Sequence, residues 1–230
     1  MLLIGSGDAM LTVHHLNNSR SQRVLWLLEE LGVPYQIVHY QRQPDLRAPA
    51  ELRAIHPLGK SPVVTDLGNT IAESGAIVEY IIDSHGDGRL IPPPKTPERL
   101  RYTYWLHYAE GSAMPLLLLK LLFVLMPKRA PALLRPIVRK VCNQALTALV
   151  NPQLRQHMAF WEQELSKSQW FAGDEFTAAD IQMSFPLEAA TARAGLEQGH
   201  PNAMAYLDRI HARPAYQRAL EKGGPYTVGR

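Results

Sequence analysis

Glu73 and Ser74 stand side by side where a helical pattern begins. Free N–H groups at a helix start, together with the helix dipole, favour a bound carboxylate. The Ser74 hydroxyl can add a hydrogen bond there, and Glu73 can take an ammonium. A carboxylate and an ammonium on one carbon make an α-amino acid head group, so this corner could read one end of a peptide-like ligand. Upstream, Pro62 opens a short apolar run. That suits an edge strand, or a cis peptide that turns the preceding backbone toward solvent or a ligand. The same residues also fit a proline that simply starts a strand and an acidic turn that simply caps a helix. Further along, Tyr104, Tyr108 and Ser112 recur at i, i+4 and i+8, an aromatic and polar stripe that Leu116 continues. Such a face could hold a flat electrophile; helix packing or a dimer contact would produce the same spacing.

The elements that must position these residues follow from the pattern around them. Val63 and Val64 are β-branched, Leu67-Gly68-Asn69 is turn chemistry, and Thr70 to Ala72 resume an extended run before the helix at Glu73. Leu11 to Leu16 reads as a strand. After the turn Asn17-Asn18-Ser19, Arg20 to Leu31 reads as a helix with Val24, Leu25, Leu27, Leu28 and Leu31 on its apolar side and Gly32 past its end. Tyr35 to Tyr40 alternates like a second strand, and Pro49 to Ile55 suggests a short helix. This order predicts an α/β layer of thioredoxin type over residues 11–85. Residues 86–97, rich in Gly and Pro, read as a linker, and 98–230 as an all-α helical domain. Within the latter, Pro127, Pro131 and Pro136 are expected to interrupt the helical pattern, as is Asn151-Pro152. Thr177-Ala178-Ala179-Asp180 reads as a capping box with Asp in place of Glu. Residues 1–10 lack the features of a secretory signal and are expected to be an unstructured leader.

Gly59-Lys60-Ser61-Pro62, followed by Glu73-Ser74-Gly75-Ala76-Ile77, resembles the glutathione transferase family. Its members carry Gly-Lys-x-Pro with the proline cis, then Glu-Ser and an Ala-Ile pair, and a Thr/Ser-x-x-Asp box in the core helix of a helical domain. The resemblance runs from Leu11 almost to the end of the chain. It implies a cytosolic enzyme with glutathione as co-substrate, a homodimer and no metal. It further implies that the backbone of Ser61, before the cis Pro62, pairs with the cysteinyl part of glutathione, that Glu73 and Ser74 hold the γ-glutamyl end, and that Lys60 meets the glycyl carboxylate. Ser19 matches the catalytic serine of the serine-type branches, in the subgroup shared by bacteria and yeast. Two positions depart from the pattern: Ser61 replaces an apolar residue, and Gly75 replaces a common Arg.

Activating a thiol at neutral pH means stabilising its thiolate, because a free cysteine thiol has a pKa near ~8.5. A hydroxyl beside a helix N-terminus can do so, and Ser19 is placed for it, with Asn17 or Asn18 as substitutes from the same turn; an ordinary N-cap serine would look the same. No Cys lies near this turn, which disfavours disulfide exchange. His14, His15 and Leu16 end the first strand where tyrosine-type branches carry Tyr. Cys142 reads as core filler.

Composition bounds the rest. The chain has 230 residues, 46% hydrophobic and 20% charged, with a net charge of +3, so nucleic acid is not inferred as a partner. A single Cys excludes an intramolecular disulfide and a Cys cluster for zinc, and suits a reducing, cytoplasmic setting. Gly59-Lys60-Ser61 imitates a P-loop but has Ala54 where Gly is required, and Gly5-Ser6-Gly7 fails the dinucleotide fingerprint at Met10. No His pair shows metal-ligand spacing. The longest apolar run, Leu116 to Met126, is interrupted by Lys120 and falls short of a membrane span. The basic, Leu-rich stretch 116–140 suggests a helical hairpin or subunit contact rather than a membrane-surface helix, since its prolines are expected to break any continuous face. Three readings remain: a transferase adding glutathione to hydrophobic electrophiles, with hydroperoxide reduction as a close variant; a non-catalytic carrier of glutathione or hydrophobic ligands; and a scaffold. Intact Pro62, Glu73 and Ser74 favour the first.

Overall fold

Along β1 (Leu11–Leu16), Leu11, Val13 and His15 alternate with Thr12, His14 and Leu16, and all but Thr12 are buried, as a strand covered on both faces requires. The computed structural model describes residues 10–43 and 47–228, so the leader expected at 1–10 lies, apart from Met10, outside the described residues. β1 pairs in parallel with β2 (Tyr35–Tyr40) and antiparallel with β3 (Val63–Asp66), which pairs antiparallel with β4 (Asn69–Ala72). The resulting sheet, in the order β2-β1-β3-β4, is the thioredoxin-like arrangement predicted from the sequence. Leu67 and Gly68 both have left-handed φ, 47° and 79°, so the β3–β4 connection is a turn whose twist matches that of its strands.

The crossover between the parallel strands is α1 (Ser21–Leu31), closed by Gly32 at φ 67°, whose N–H returns to the Leu28 carbonyl. Its expected apolar side is buried, and so is Trp26. Trp26 is covered because α10 (Pro214–Gly223) packs on α1, with Tyr216 edge-on to the indole at 5.1 Å and Arg218 donating to Glu29 at 2.8 Å. Residues to Arg89 together with Pro214–Tyr226 thus form one compact unit, whereas the sequence grouped this last helix with the helical half. On the other side of β1, Leu16 packs with Ala48 and with Leu52 of α2 (Ala50–Ile55). The unit also contains α3 (Ser74–His85).

The second unit, Leu90–Arg213 with the segment from Thr227, is helical. α4 (Pro97–Tyr108) is capped by Thr96, whose hydroxyl accepts from Arg99 N–H at 3.1 Å. It runs through a π turn, Ala109–Ala113, into α5 (Met114–Arg129). α6 (Arg135–Ala145) likewise runs through a π turn, Leu146–Val150, into α7 (Asn151–Leu165). The breaks predicted at Pro127 and Asn151-Pro152 are therefore absent. In each π turn the closing N–H reaches back five residues, Met114 to Ala109 and Asn151 to Leu146, and the next residue is a proline with no N–H to place. The widened turn gives each ring the room that a regular α-helix denies it. Pro127 lies inside α5; the helix ends at Arg129, where Ala130 turns extended ahead of Pro131. Residues 97–129 therefore form one continuous helix, long and apolar enough to cross a membrane by length and composition, where the sequence was expected to fall short of such a span. The core of the unit is α8 (Ala178–Ala194), buried throughout its first thirteen residues and flanked by α9 (Pro201–His211). At its start the buried Asp180 carboxylate accepts from Thr177 N–H at 2.9 Å, Thr177 hydroxyl at 3.1 Å and Phe171 N–H at 2.9 Å.

Candidate functional site

Asn17, Asn18 and Ser19 turn the chain from the end of β1 into α1. Asn17 donates its N–H to the Tyr40 carbonyl at 3.1 Å and accepts Arg42 N–H on Oδ1 at 2.8 Å, while Asn18 takes a left-handed φ of 50°. Ser19 is not the N-cap that the sequence suggested; Arg20 occupies that position, and Ser19 Oγ accepts from Ser21 N–H at 3.2 Å. The Ser19 hydroxyl lies inward, 4% exposed, 2.7 Å from Ser21 Oγ and donating to Ser61 Oγ at 3.2 Å. Ser61 precedes a cis peptide bond to Pro62. Its side chain, which stands where the family carries an apolar one, ties the site to β1: it accepts from Leu16 N–H at 3.3 Å and donates to the His14 carbonyl at 3.2 Å.

Behind this pair lies a polar chain that sequence reasoning missed. Ser21 Oγ is 2.8 Å from His15 Nδ1, and the His15 ring packs edge-on to His39 at 5.6 Å. Burial, reinforced by His39, pulls the His15 pKa down to about 4, so the imidazole is neutral at neutral pH. The available signal was the alternation of β1, which puts His15 on the α1 side, together with the Ser19-x-Ser21 spacing.

α1 also reaches the second corner. Arg23, nearly fully buried, donates from Nη2 to Ser74 Oγ at 3.3 Å, so one helix holds both the Ser19–Ser61 pair and the first residue of α3. Sequence reasoning did not single out Arg23. Glu73, the N-cap of α3, has φ 72° and ψ 126° and an exposed side chain. A non-glycine residue held there costs about 1–3 kcal/mol, strain that accumulates at ligand sites. Lys60 is exposed, beside Gly59 at φ 55°. Ser19, Ser61, Pro62, Glu73 and Ser74 thus come from three neighbouring chain reversals of one unit.

Residues 9–83 match the family described as "Glutathione S-transferase, N-terminal domain", and residues 125–214 match "Glutathione S-transferase, C-terminal domain". Glutathione S-transferase 3 of Schizosaccharomyces pombe is 36% identical over 93% of this chain and 88% of its own length. Glutathione S-transferase 1 of Saccharomyces cerevisiae is 33% identical over 93% and 95%. Among solved structures, a glutathione S-transferase from Actinobacillus pleuropneumoniae superposes with a TM-score of 0.76 at 31% identity, covering 96% of each chain. The chain belongs to the glutathione S-transferase family.

In this family member the predicted electrophile face is only partly assembled. Tyr104 is half exposed and stacks on Tyr108, with ring centroids 5.6 Å apart and planes 26° apart. Tyr108 is buried; its hydroxyl accepts from Trp161 Nε1 at 3.0 Å and bonds His157 Nδ1, and burial pushes its pKa far above the usual phenol value. Ser112 is exposed but sits in the π turn, which rotates it off the i, i+4, i+8 line drawn for a regular helix. A cavity of about 590 Å³ in the same unit is lined by Ile91, Pro92, Arg101, Lys167 and Phe176 among others, and by none of the three predicted residues. Among the described residues no group of three or more His, Cys, Asp or Glu side chains could hold a metal ion. Cys142 is buried.

Proposed function

We propose that this glutathione S-transferase belongs to the serine-type branch and adds the thiolate of glutathione to a small hydrophobic electrophile. The observation that carries the reading is the Ser19 hydroxyl at the start of α1, hydrogen-bonded to the residue before the cis proline. Glutathione binds on the first unit. Its γ-glutamyl carboxylate takes the N-terminal N–H groups of α3 and the Ser74 hydroxyl, and its ammonium takes Glu73; the cysteinyl part pairs with the Ser61 backbone and the glycyl carboxylate meets Lys60. Ser19 rotates its hydroxyl from Ser61 to the sulfur, which costs little because Ser61 Oγ keeps the Leu16 N–H. A hydrogen bond to the charged sulfur then favours the thiolate over the thiol.

The thiol proton leaves to solvent, the sulfur lone pair forms a C–S bond to the electrophile, and the displaced group departs with its electron pair. The exposed ring of Tyr104, on its stacked and hydrogen-bonded support Tyr108, offers the electrophile a flat apolar surface; Ser112 lies one turn further on. We read the enzyme as a cytoplasmic homodimer. The test is conjugation of glutathione to a chloronitroarene, followed by absorbance. Saturable turnover that falls in Ser19→Ala and persists in Ser112→Ala is expected; glutathione binding without turnover would mean a carrier.

A further inference from the structure

Ser61 stands where the family pattern has an apolar residue before the cis proline, so this chain carries one hydroxyl more at that corner. The extra oxygen lies 3.2 Å from Ser19 Oγ. Three serine hydroxyls thus gather where β1 gives way to α1, and they differ in exposure: Ser21 is fully buried, Ser19 nearly so, and Ser61 only half-buried.

They differ also in how firmly they are held. Ser21 Oγ lies 2.7 Å from Ser19 Oγ and 2.8 Å from His15 Nδ1, so its position is fixed from two sides. Ser61 Oγ accepts from Leu16 N–H at 3.3 Å and from Ser19 at 3.2 Å, and donates to the His14 carbonyl at 3.2 Å. Each of these is longer than the common value for its type, about 2.8 Å from O–H and about 2.9 Å from N–H. A proton held by a long bond to a neutral carbonyl turns readily to an anion, whose hydrogen bonds are roughly twice as strong. The bond from Leu16 N–H remains when it does.

The proposed pairing of the cysteinyl residue of glutathione with the Ser61 backbone sets the two residues opposite each other, like a cross-strand pair. The Cβ atoms of such a pair lie on one face, about 5 Å apart. The sulfur and the Ser61 oxygen, each one bond beyond its Cβ, then come within reach of each other. Ser19 Oγ, already the partner of Ser61 Oγ, is on that same side. We propose that Ser61 is a second catalytic hydroxyl, turning its O–H from the His14 carbonyl to the sulfur of bound glutathione and sharing with Ser19 the stabilisation of the thiolate. The proposal rests on the glutathione reading above and goes beyond it, because Ser61 enters that reading through its backbone alone. Two donors to one sulfur favour the anion more than one does, since both bonds strengthen on ionisation. The thiol proton still leaves to solvent, and each serine keeps its own.

The experiment is ultraviolet thiolate absorbance of bound glutathione against pH in Ser61→Thr and Ser61→Val, each alone and combined with Ser19→Ala. Thr and Val share a shape and differ in the hydroxyl, and Val restores the apolar character of the family position. Circular dichroism checks folding of every form, and turnover gives kcat and KM. Ser61→Val is expected to raise the bound thiol pKa by about one unit, with Ser61→Thr near the wild-type value. KM for glutathione stays within about twofold in both, because the backbone pairing is kept. The same rise is expected in the Ser19→Ala background.

An unchanged thiol pKa in folded Ser61→Val, or an equal rise in Ser61→Thr, overturns the proposal. A rise seen only where Ser19 is present makes Ser61 a support for Ser19 rather than a donor to sulfur, and overturns it as well. A thiol pKa that Ser19→Ala leaves low and Ser61→Val raises would remove the role given to Ser19 while supporting that of Ser61. Wild type that binds no glutathione would overturn both.

Discussion

The two candidate surfaces of this transferase are built differently. The proposed glutathione corner is made where strands end and helices begin, and its residues are fixed by backbone events: a cis peptide at Ser61-Pro62, a left-handed φ at Glu73, and the entry into α1 after Ser19. The proposed electrophile face is a stripe on a long helix, fixed only by unbroken helical register. A single π turn was enough to take Ser112 off that stripe, and the neighbouring Trp161 and His157 were enough to occupy the Tyr108 hydroxyl. Sites pinned by turns survive changes along the helices; sites defined by a helix face depend on every residue between their members.

The sharpest way to separate the two is Ser19→Ala against Ser112→Ala. The first removes a donor to a developing thiolate and is expected to lower kcat/KM by about two to three orders of magnitude, at a stability cost of about 1 kcal/mol for the lost hydrogen bonds to Ser21 and Ser61. The second is expected to change neither. Acidification probes the polar chain behind Ser19. The folded-state pKa of His15 lies below its unfolded value of 6.5, at about 4, so the stability that its neutral form contributes is complete above pH 6.5 and is lost as pH falls toward 4. That loss amounts to up to about 3 kcal/mol, read as a falling denaturant midpoint that His15→Asn flattens.

Glu73→Gln removes the charged partner of an ammonium and is expected to raise KM for glutathione about tenfold or more at nearly unchanged kcat. Glu73→Gly does the same while relieving the strained φ, so its melting temperature rises where that of Glu73→Gln does not. On the helix face the effects shrink. Tyr108→Phe loses its bonds to Trp161 and His157 and costs about 1–2 kcal/mol of stability, with the electrophile KM within about twofold. Tyr104→Ala is expected to raise that KM several-fold at little cost in stability. If Tyr108→Phe instead abolished turnover, the phenol would belong to the reaction and the contrast between the surfaces would fail.

The contrast also explains what the sequence could tell. The four strands, the thioredoxin-like order and the placement of Pro62, Glu73 and Ser74 were legible because turns and caps depend on a few adjacent residues. Ser21, His15 and Arg23 were not, because their roles arise from packing between β1, α1 and α3: His15 reads as one of two adjacent strand histidines until the fold brings it to Ser21 Oγ. The hidden π turns misled in the opposite direction. Pro127 and Pro152 read as helix breakers, yet one sits within α5 and the other follows a π turn that makes room for its ring. The return of α10 to cover Trp26 is a long-range contact that no local pattern carries.

The central claim is that Ser19 stabilises the thiolate of bound glutathione. Ultraviolet thiolate absorbance of glutathione bound to the wild type and to Ser19→Ala, followed against pH, tests it most directly. The account predicts a bound thiol pKa well below that of free glutathione, returning toward the free value in Ser19→Ala. A low pKa that the substitution leaves in place, or a bound thiol with no shift at all, would contradict it.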